Sequence, residues 1–165
     1  MAVATRACAD QNTPVWKTSA VELRAAVVCL INGFRGERGL PQLRERGRLD
    51  AAAQGHSNQM VTGDFFAHGN PGVRITAAGF HWEAYGEAIS TGFRTPRTAV
   101  WGWLSSPPHC QILLSPTYEF IGVGVNPRPV AGETTIPGTW TTDLVLPPGW
   151  HPPSRNQGPA NGCPY

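Results

Sequence analysis

The sequence lacks the long apolar runs and the concentrated charge that mark several large classes of protein. No stretch approaches the ~18 consecutive apolar residues that a membrane-spanning helix needs. Lysine and arginine number 13 against 11 aspartate and glutamate, and no basic run is available to follow a phosphate backbone. We therefore expect no membrane span, and no nucleic acid among the partners.

The motifs of the commonest enzymes are also missing. There is no G-x-S-x-G nucleophile elbow, no G-x-x-x-x-G-K-[ST] phosphate loop, no G-x-G-x-x-G after a strand and no H-E-x-x-H helix. No C-x-x-C pair is present either, which argues against a zinc ribbon or a thioredoxin-like redox site. An enzyme is thus the less favoured interpretation of the sequence.

Charged residues are scarce, whereas glycine and proline are abundant. Charged side chains make up 15% of the chain, against a usual ~25%, while there are 19 glycines and 16 prolines. The length of 165 residues favours one domain with one sizeable core. Together these values indicate a single loop-rich domain, which we expect to be a monomer.

Four widely spaced cysteines indicate an oxidising compartment. Two disulfides among Cys8, Cys29, Cys110 and Cys163 are favoured over free thiols, so we expect an extracellular protein. Three connectivities are possible. Closeness in the chain favours Cys8 with Cys29, which leaves Cys110 with Cys163. The opening "MAVATRACADQN" lacks the apolar core of a signal peptide, so we expect that an export signal has already been removed.

Cap residues and apolar periodicity predict three helices. Ser19 and Glu22 have the capping-box spacing, so a helix should begin after Ser19 and stop near Gly39. A second helix should cover about residues 49–62. A short third helix should begin at Pro96 and end before "SSPP".

Strands are predicted mainly in the second half of the chain. "FIGVGVN" and "GTWTTDLVL" are rich in β-branched and aromatic residues, and "AYGEAIST" is a further candidate. Because helices come first and strands last, the predicted class is α+β and not a repeating βαβ arrangement.

Three isolated polar residues lie where predicted elements end, which is where sites usually form. His68 follows the second helix in "DFFAHGN", Glu87 lies in "YGEAI", and His109 follows the third helix in "SSPPHC". Two imidazoles and a carboxylate are a recognised ligand set for zinc and related divalent cations. Almost any domain of this size contains three such residues, so composition alone favours separate structural roles.

The other histidines have simpler interpretations. His56 lies on the apolar face of the second predicted helix, which predicts a buried imidazole bonded to a backbone carbonyl. His81 and His151 lie beside tryptophans in loop-like sequence and are expected at the surface.

Eight segments, in order, resemble the bacterial branch of the CAP superfamily: "VVCLINGFRGERGLPQL", "LDAAAQGHSNQM", "DFFAHGN", "AAGF", "YGEAIS", "AVWGWLSSPPHCQILLSP", "FIGVGV" and "WTTDL". This superfamily includes cysteine-rich secretory proteins, venom antigens and plant pathogenesis-related proteins, and its domain is also called SCP. The resemblance implies a single-domain α-β-α sandwich with a central antiparallel sheet between helical layers. It places that domain at residues 19–146, between an N-terminal segment (1–18) and a Pro-rich tail (147–165), each tethered by a cysteine.

The resemblance also implies site residues. In the family, two histidines and acidic residues line a cleft and can hold zinc or another divalent cation. His68 matches the first histidine, Glu87 the glutamate of a "GEN" motif and His109 the histidine of an "SPxH" motif. Ala88 replaces the usual asparagine, and no second glutamate follows His68 closely. Trp103 matches a core tryptophan, whereas Trp101 occupies a position that is usually polar and is expected to form an exposed apolar patch.

Three functions follow from the resemblance. The first is a secreted binding module whose cleft holds a divalent cation and a lipid, another apolar small ligand or a cell-envelope component. The second is a metal-dependent, peptidase-like hydrolase in which His68 and His109 hold the metal and Glu87 is the general base. The third is an inert extracellular module whose polar trio only joins helices to the sheet.

Overall fold

The computed structural model describes residues 7–150 and Cys163, and this part of the chain folds as an α+β domain, as predicted. The elements are α1 (Ala20–Glu37), β1 (Arg44–Glu45), α2 (Gly47–Gly63), α3 (Pro71–Ala77), β2 (Ala84–Thr91), α4 (Pro96–Leu104), α5 (Pro107–Leu113), β3 (Phe120–Asn126) and β4 (Thr139–Leu146). No helix in the described ranges is long and apolar enough to cross a membrane.

The four strands form one sheet in the order β1-β3-β4-β2. Both β2 and β3 pair with β4 in antiparallel register, and the short β1 adds a parallel pair at the edge of β3. α1, α4 and α5 pack on one face of the sheet, and α2 and α3 pack on the other. The predicted α-β-α sandwich is therefore confirmed, with one parallel pair in an otherwise antiparallel sheet.

Alternation along β3 divides the core between the two faces. Ile121, Val123 and Val125 are buried in the larger core, together with α1, α4 and α5. Gly122 and Gly124 point to the other face, where they meet the backbone of α2. A Cβ atom at Gly124 would lie 2.2 Å from the Gln54 nitrogen, so α2 rests directly on the strand.

Side chains of α2 also complete the hydrogen bonding of β3. Because β1 is only two residues long, it pairs no further along β3 than Ile121. The Asp50 carboxylate accepts a bond from the Val123 N–H at 2.9 Å. The Gln54 amide accepts from the Val125 N–H at 3.0 Å and donates to its carbonyl at 2.7 Å. A helix thus protects a strand edge that would otherwise be open to pairing.

The predicted helix boundaries agree closely with the structure. The Ser19 hydroxyl accepts a bond from the Glu22 N–H while the Glu22 carboxylate accepts from the Ser19 N–H, which is the predicted capping box. α1 ends before Gly39, which has a left-handed φ of 67°. α4 begins at Pro96 as predicted.

Two short helices were not predicted. α3 follows Asn70, whose side chain accepts a bond from the Val73 N–H, and it begins with Pro71. The "SSPP" segment was expected to break a helix, yet α5 begins at Pro107 within it. Proline is tolerated at the first helical position because the N–H that it lacks would have no partner there.

Both favoured disulfides are confirmed. Cys8–Cys29 attaches the N-terminal segment to α1, and Cys110–Cys163 links α5 to the tail, each with an S–S bond near 2 Å. The tail residues 151–162 and 164–165, and with them the prediction for His151, lie outside the described residues. Each bridge is expected to stabilise the fold chiefly by restricting the unfolded chain.

The contact between α2 and β3 predicts a severe effect of one added methyl group. Gly124→Ala should lower the free energy of unfolding by about 1–3 kcal/mol or more, because its Cβ would overlap the backbone of Ala53 and Gln54. Denaturant unfolding followed by circular dichroism measures this. Gly55→Ala is the matched control: its Cβ meets nothing within 4 Å, so it should stabilise α2 by about 0.5–1 kcal/mol. Equal effects of the two changes would contradict the close contact.

Candidate functional site

Glu87 is the centre of a buried polar cluster between the sheet and helices α2 and α3. Its side chain is 2% exposed. One carboxylate oxygen, Oε1, lies 2.8 Å from His68 Nδ1, and the other, Oε2, accepts a bond from Arg74 Nη2. Arg74 Nη1 also donates to the backbone oxygen of His68 at 2.8 Å. The three residues therefore form a closed ring of charge-assisted hydrogen bonds.

The loop between α2 and α3 places these side chains. α2 ends at Gly63, its C-cap Asp64 has a left-handed φ of 49°, and the chain then turns back along the helix. His68 is followed by Gly69, also left-handed at 61°, and Asn70 then caps α3. Arg74 lies in the last turn of α3 and bonds to the same carboxylate as His68.

His56 supports this loop from beneath. Its side chain is 2% exposed, and its Nε2 lies 2.9 Å from the carbonyl oxygen of Ala67 and 4.0 Å from Glu87 Oε1. Burial, and secondarily the positive charge of Arg74, lower the pKa of His56. The predicted role, a buried histidine bonded to a backbone carbonyl, is confirmed.

Asp143 is the acidic partner of Glu87 on the neighbouring strand. The two residues are paired in the β2–β4 register, and Asp143 is fully buried. Neither of its carboxyl oxygens makes a hydrogen bond of ordinary geometry to the described residues. Burial raises the pKa of Asp143 well above 3.8, and the adjacent Glu87 carboxyl adds to this rise by hydrogen bonding and by its charge. Burial and the neighbouring carboxyl therefore favour the protonated form of Asp143.

His109 lies in the opposite helical layer from the cluster. It lies on α5, which packs on the other face of β2: a Cβ at Gly86 would lie 2.7 Å from Ile112. Burial, and then the charge of His68, lower the pKa of His109. The side chain of His109 makes no hydrogen bond or ion pair with the residues that the structure describes. His68 and Glu87 are therefore in direct contact, whereas the side chain of His109 is bonded to neither of them.

These contacts involve two of the three side chains predicted to bind a cation, His68 and Glu87. No group of three histidine, cysteine, aspartate or glutamate side chains in the described part of the chain is arranged so that it could hold a metal ion. Both oxygens of Glu87 are engaged by Arg74 and His68. In this arrangement the residues do not fit a metal, and the set of His68, Glu87 and His109 as ligands stays a prediction.

Two members of the cluster were missed by the sequence analysis. Arg74 lies in a helix that was not predicted, and its sequence context, "GVRIT", carries no signal of its own. Asp143 did offer a signal, because it is a lone carboxylate in the strand "WTTDLVL". An acidic residue in a strand buried along its length is unusual without a partner on a neighbouring strand.

A separate groove of about 1160 Å³ lies between the N-terminal segment, α1 and α4. Trp101 and Phe34 pack edge to face on its wall with ring centroids 5.3 Å apart, and 40% of Trp101 is exposed. Trp103, in contrast, is 1% exposed, so the expected roles of both tryptophans are confirmed. The groove is lined by Ala7, Cys8, Gln11, Cys29, Leu30, Asn32, Gly33, Phe34, Gly36, Glu37, Gln42, Arg97 and Trp101.

The polar groups of this groove differ in how well they are satisfied. Asn32 exchanges two hydrogen bonds with the backbone of Leu43. Glu37 lies 3.6 Å from Arg38 Nη1. Arg97 is exposed, and its side chain makes no hydrogen bond or ion pair with any residue that the structure describes. The groove thus combines an aromatic wall with one cation available to a ligand.

The raised pKa of Asp143 predicts how stability depends on pH. A carboxyl whose native pKa is raised stabilises the fold below its ordinary value of 3.8, and this contribution is lost as pH rises through the native pKa. Asp143→Asn cannot ionise, so its melting temperature relative to wild type should rise by about 2–4 °C or more between about pH 5 and pH 8. Thermal melts at the two pH values measure this. An equal difference in melting temperature at both pH values would contradict the raised pKa of Asp143.

Comparison with known proteins agrees with this fold. The chain matches the family described as CAP, Cysteine-rich secretory protein family, over residues 28–136, more than half of its length. It is 29% identical over 116 residues to YlbC of Bacillus subtilis (strain 168), described as an uncharacterized membrane protein. That match covers 67% of this chain and 34% of YlbC, so the chain spans about a third of this relative.

Solved structures show the same fold at low identity. An extracellular protein containing a SCP domain from Bacillus anthracis str. Ames has a TM-score of 0.65 at 22% identity, covering 78% of this chain and 44% of its own. A cysteine-rich secretory protein from Staphylococcus aureus subsp. aureus Mu50 has 0.66 at 15%, covering 81% and 40%. An outer surface protein from Borrelia burgdorferi has 0.65 at 18%, covering 73% and 90%. This chain belongs to the CAP family of cysteine-rich secretory proteins, as the order of its segments predicted.

Proposed function

We propose that this CAP domain is an extracellular binding module for an anionic amphiphile. The apolar body of the ligand lies against Phe34 and Trp101, and its acidic end faces Arg97. The observation that carries the proposal is the groove in which an aromatic wall lies together with a guanidinium that has no partner among the described residues.

The chemistry of the groove supports this class of ligand. Small-molecule sites are typically concave, mainly apolar and provided with a few polar groups that fix orientation. At about 1160 Å³ the groove is large enough for a molecule of lipid size. Covering apolar surface of Trp101 and Phe34 would supply about 25 cal/mol for each Å² removed from water. An acidic head group would add a charge-assisted bond to Arg97.

The extracellular location has separate support. Two disulfides persist in oxidising compartments and are rare in the cytosol. Structural neighbours of this chain are described as an extracellular protein and an outer surface protein. An exported module that captures an amphiphile at the cell surface is consistent with both.

The alternative functions have less support from the polar cluster. A hydrolase would need Glu87 to accept a proton from a bound water. Both Glu87 oxygens are instead engaged, and its side chain is 2% exposed. A purely structural role accounts for the cluster, which joins α3 to the sheet, but it gives no reason for the exposed tryptophan in the groove.

Calorimetric titration with dodecanoate tests the proposal. Trp101→Ala should weaken binding about tenfold or more, which is the effect of losing about 1.4 kcal/mol of contact. Trp16→Ala is the matched control, since Trp16 is 52% exposed and lies outside the groove. It should leave the affinity unchanged.

The charged end of the ligand is tested with a second pair. Arg97→Gln should weaken the binding of dodecanoate and leave the binding of dodecanol, which has no charge, unaltered. No binding of either ligand to wild type, or equal affinity of wild type and Trp101→Ala, would refute the proposed function.

A further inference from the structure

The Glu87 cluster contains a cation that belongs to the chain itself. We infer that the guanidinium of Arg74 occupies the place at Glu87 that a divalent metal would take, and that it excludes such a metal from the site. The Glu87 cluster lies on the opposite face of the sheet from the groove, so metal exclusion by Arg74 does not depend on the proposed ligand.

The first step is the charge balance around Glu87. A carboxylate side chain that is only 2% exposed needs hydrogen bonds and a nearby cation, because burying such a group without partners is very costly. Arg74 supplies both: Nη2 donates to Glu87 Oε2, and Nη1 fixes the guanidinium by donating to the His68 carbonyl. The side chain of Arg74 is itself only 18% exposed. The requirement for a cation is therefore already met.

The second step concerns the atoms that a metal would use. A zinc ion needs free lone pairs on oxygen and nitrogen, and a structural or catalytic site offers at least three protein ligands. Oε2 of Glu87 is taken by Arg74, and Oε1 lies 2.8 Å from His68 Nδ1. A divalent ion at this carboxylate would also lie close to a permanent positive charge, and that repulsion is strong in a buried site. Geometry and charge both oppose the metal.

The third step follows from the neighbours of the carboxylate. His68 Nδ1 lies 2.8 Å from Glu87 Oε1, and His56 Nε2 lies 4.0 Å from the same oxygen. Removing the guanidinium frees Oε2 and leaves a buried carboxylate without its cation, with two imidazoles nearby. The same chain without Arg74 should then accept the cation that the intact chain excludes.

Titration of Zn²⁺ into four proteins tests this, near neutral pH and with melting curves to confirm folding. Arg74→Met keeps an unbranched side chain but removes the charge, and it should bind one Zn²⁺ at least tenfold more tightly than wild type. Arg74→Met/His68→Ala should lose that gain. Arg74→Lys keeps a cation in the same place, and it should bind Zn²⁺ no better than wild type.

Several outcomes would overturn the inference. Stoichiometric Zn²⁺ binding by wild type that is no weaker than in Arg74→Met would show that the guanidinium excludes nothing. A folded Arg74→Met without a gain, or an Arg74→Lys variant that gains as much, would do the same. If Arg74→Met fails to fold, Arg74→Gln replaces it. The melting temperature of wild type supplies an independent check: it should be equal with Zn²⁺ and with a chelator, and a rise with Zn²⁺ that His68→Ala removes would refute the inference.

Discussion

The direct contact of α2 with β3 is the constraint on which the rest of the domain depends. Two glycines on β3 allow the helix backbone to lie against the strand, where any Cβ would overlap it. Asp50 and Gln54 then supply the hydrogen bonds that a longer edge strand would have made to Val123 and Val125. This contact fixes the distance of α2 from the sheet and the direction of its axis relative to β3. Its C-terminal end, and the loop that carries His68, are consequently held over β2 and Glu87.

The polar cluster is the electrostatic consequence of that placement. Glu87 and Asp143 are paired on neighbouring strands and both are buried, so two negative charges there would repel strongly. Two features reduce this conflict: burial and the adjacent Glu87 raise the pKa of Asp143, and the guanidinium of Arg74 bonds to Glu87. Arg74 therefore has a structural reason to be where it is, since it joins α3 to the sheet while it balances the carboxylate.

The sequence predicted those features that depend on local or periodic patterns. Residues close together in the chain were enough to predict the cap at Ser19 and the helix start at Pro96. The same is true of the strands that contain Glu87 and Asp143. The family resemblance predicted that His68 and Glu87 lie in the same cleft, because the sequence around each residue gives no sign that the two meet. Arg74 could not be assigned to the site, because α3 is a single short helix and because its pairing depends on the fold of a distant strand.

The two sites lie on opposite faces of the same sheet, and this separation limits what each can do. The groove is built from α1, α4 and the N-terminal segment, whereas the Glu87 cluster lies under α2 and α3. A ligand in the groove therefore makes no contact with the carboxylate pair, and catalysis by Glu87 on such a ligand would require the sheet itself to be crossed. This separation is consistent with the proposed function, in which the groove binds the ligand and the Glu87 cluster joins α3 to the sheet.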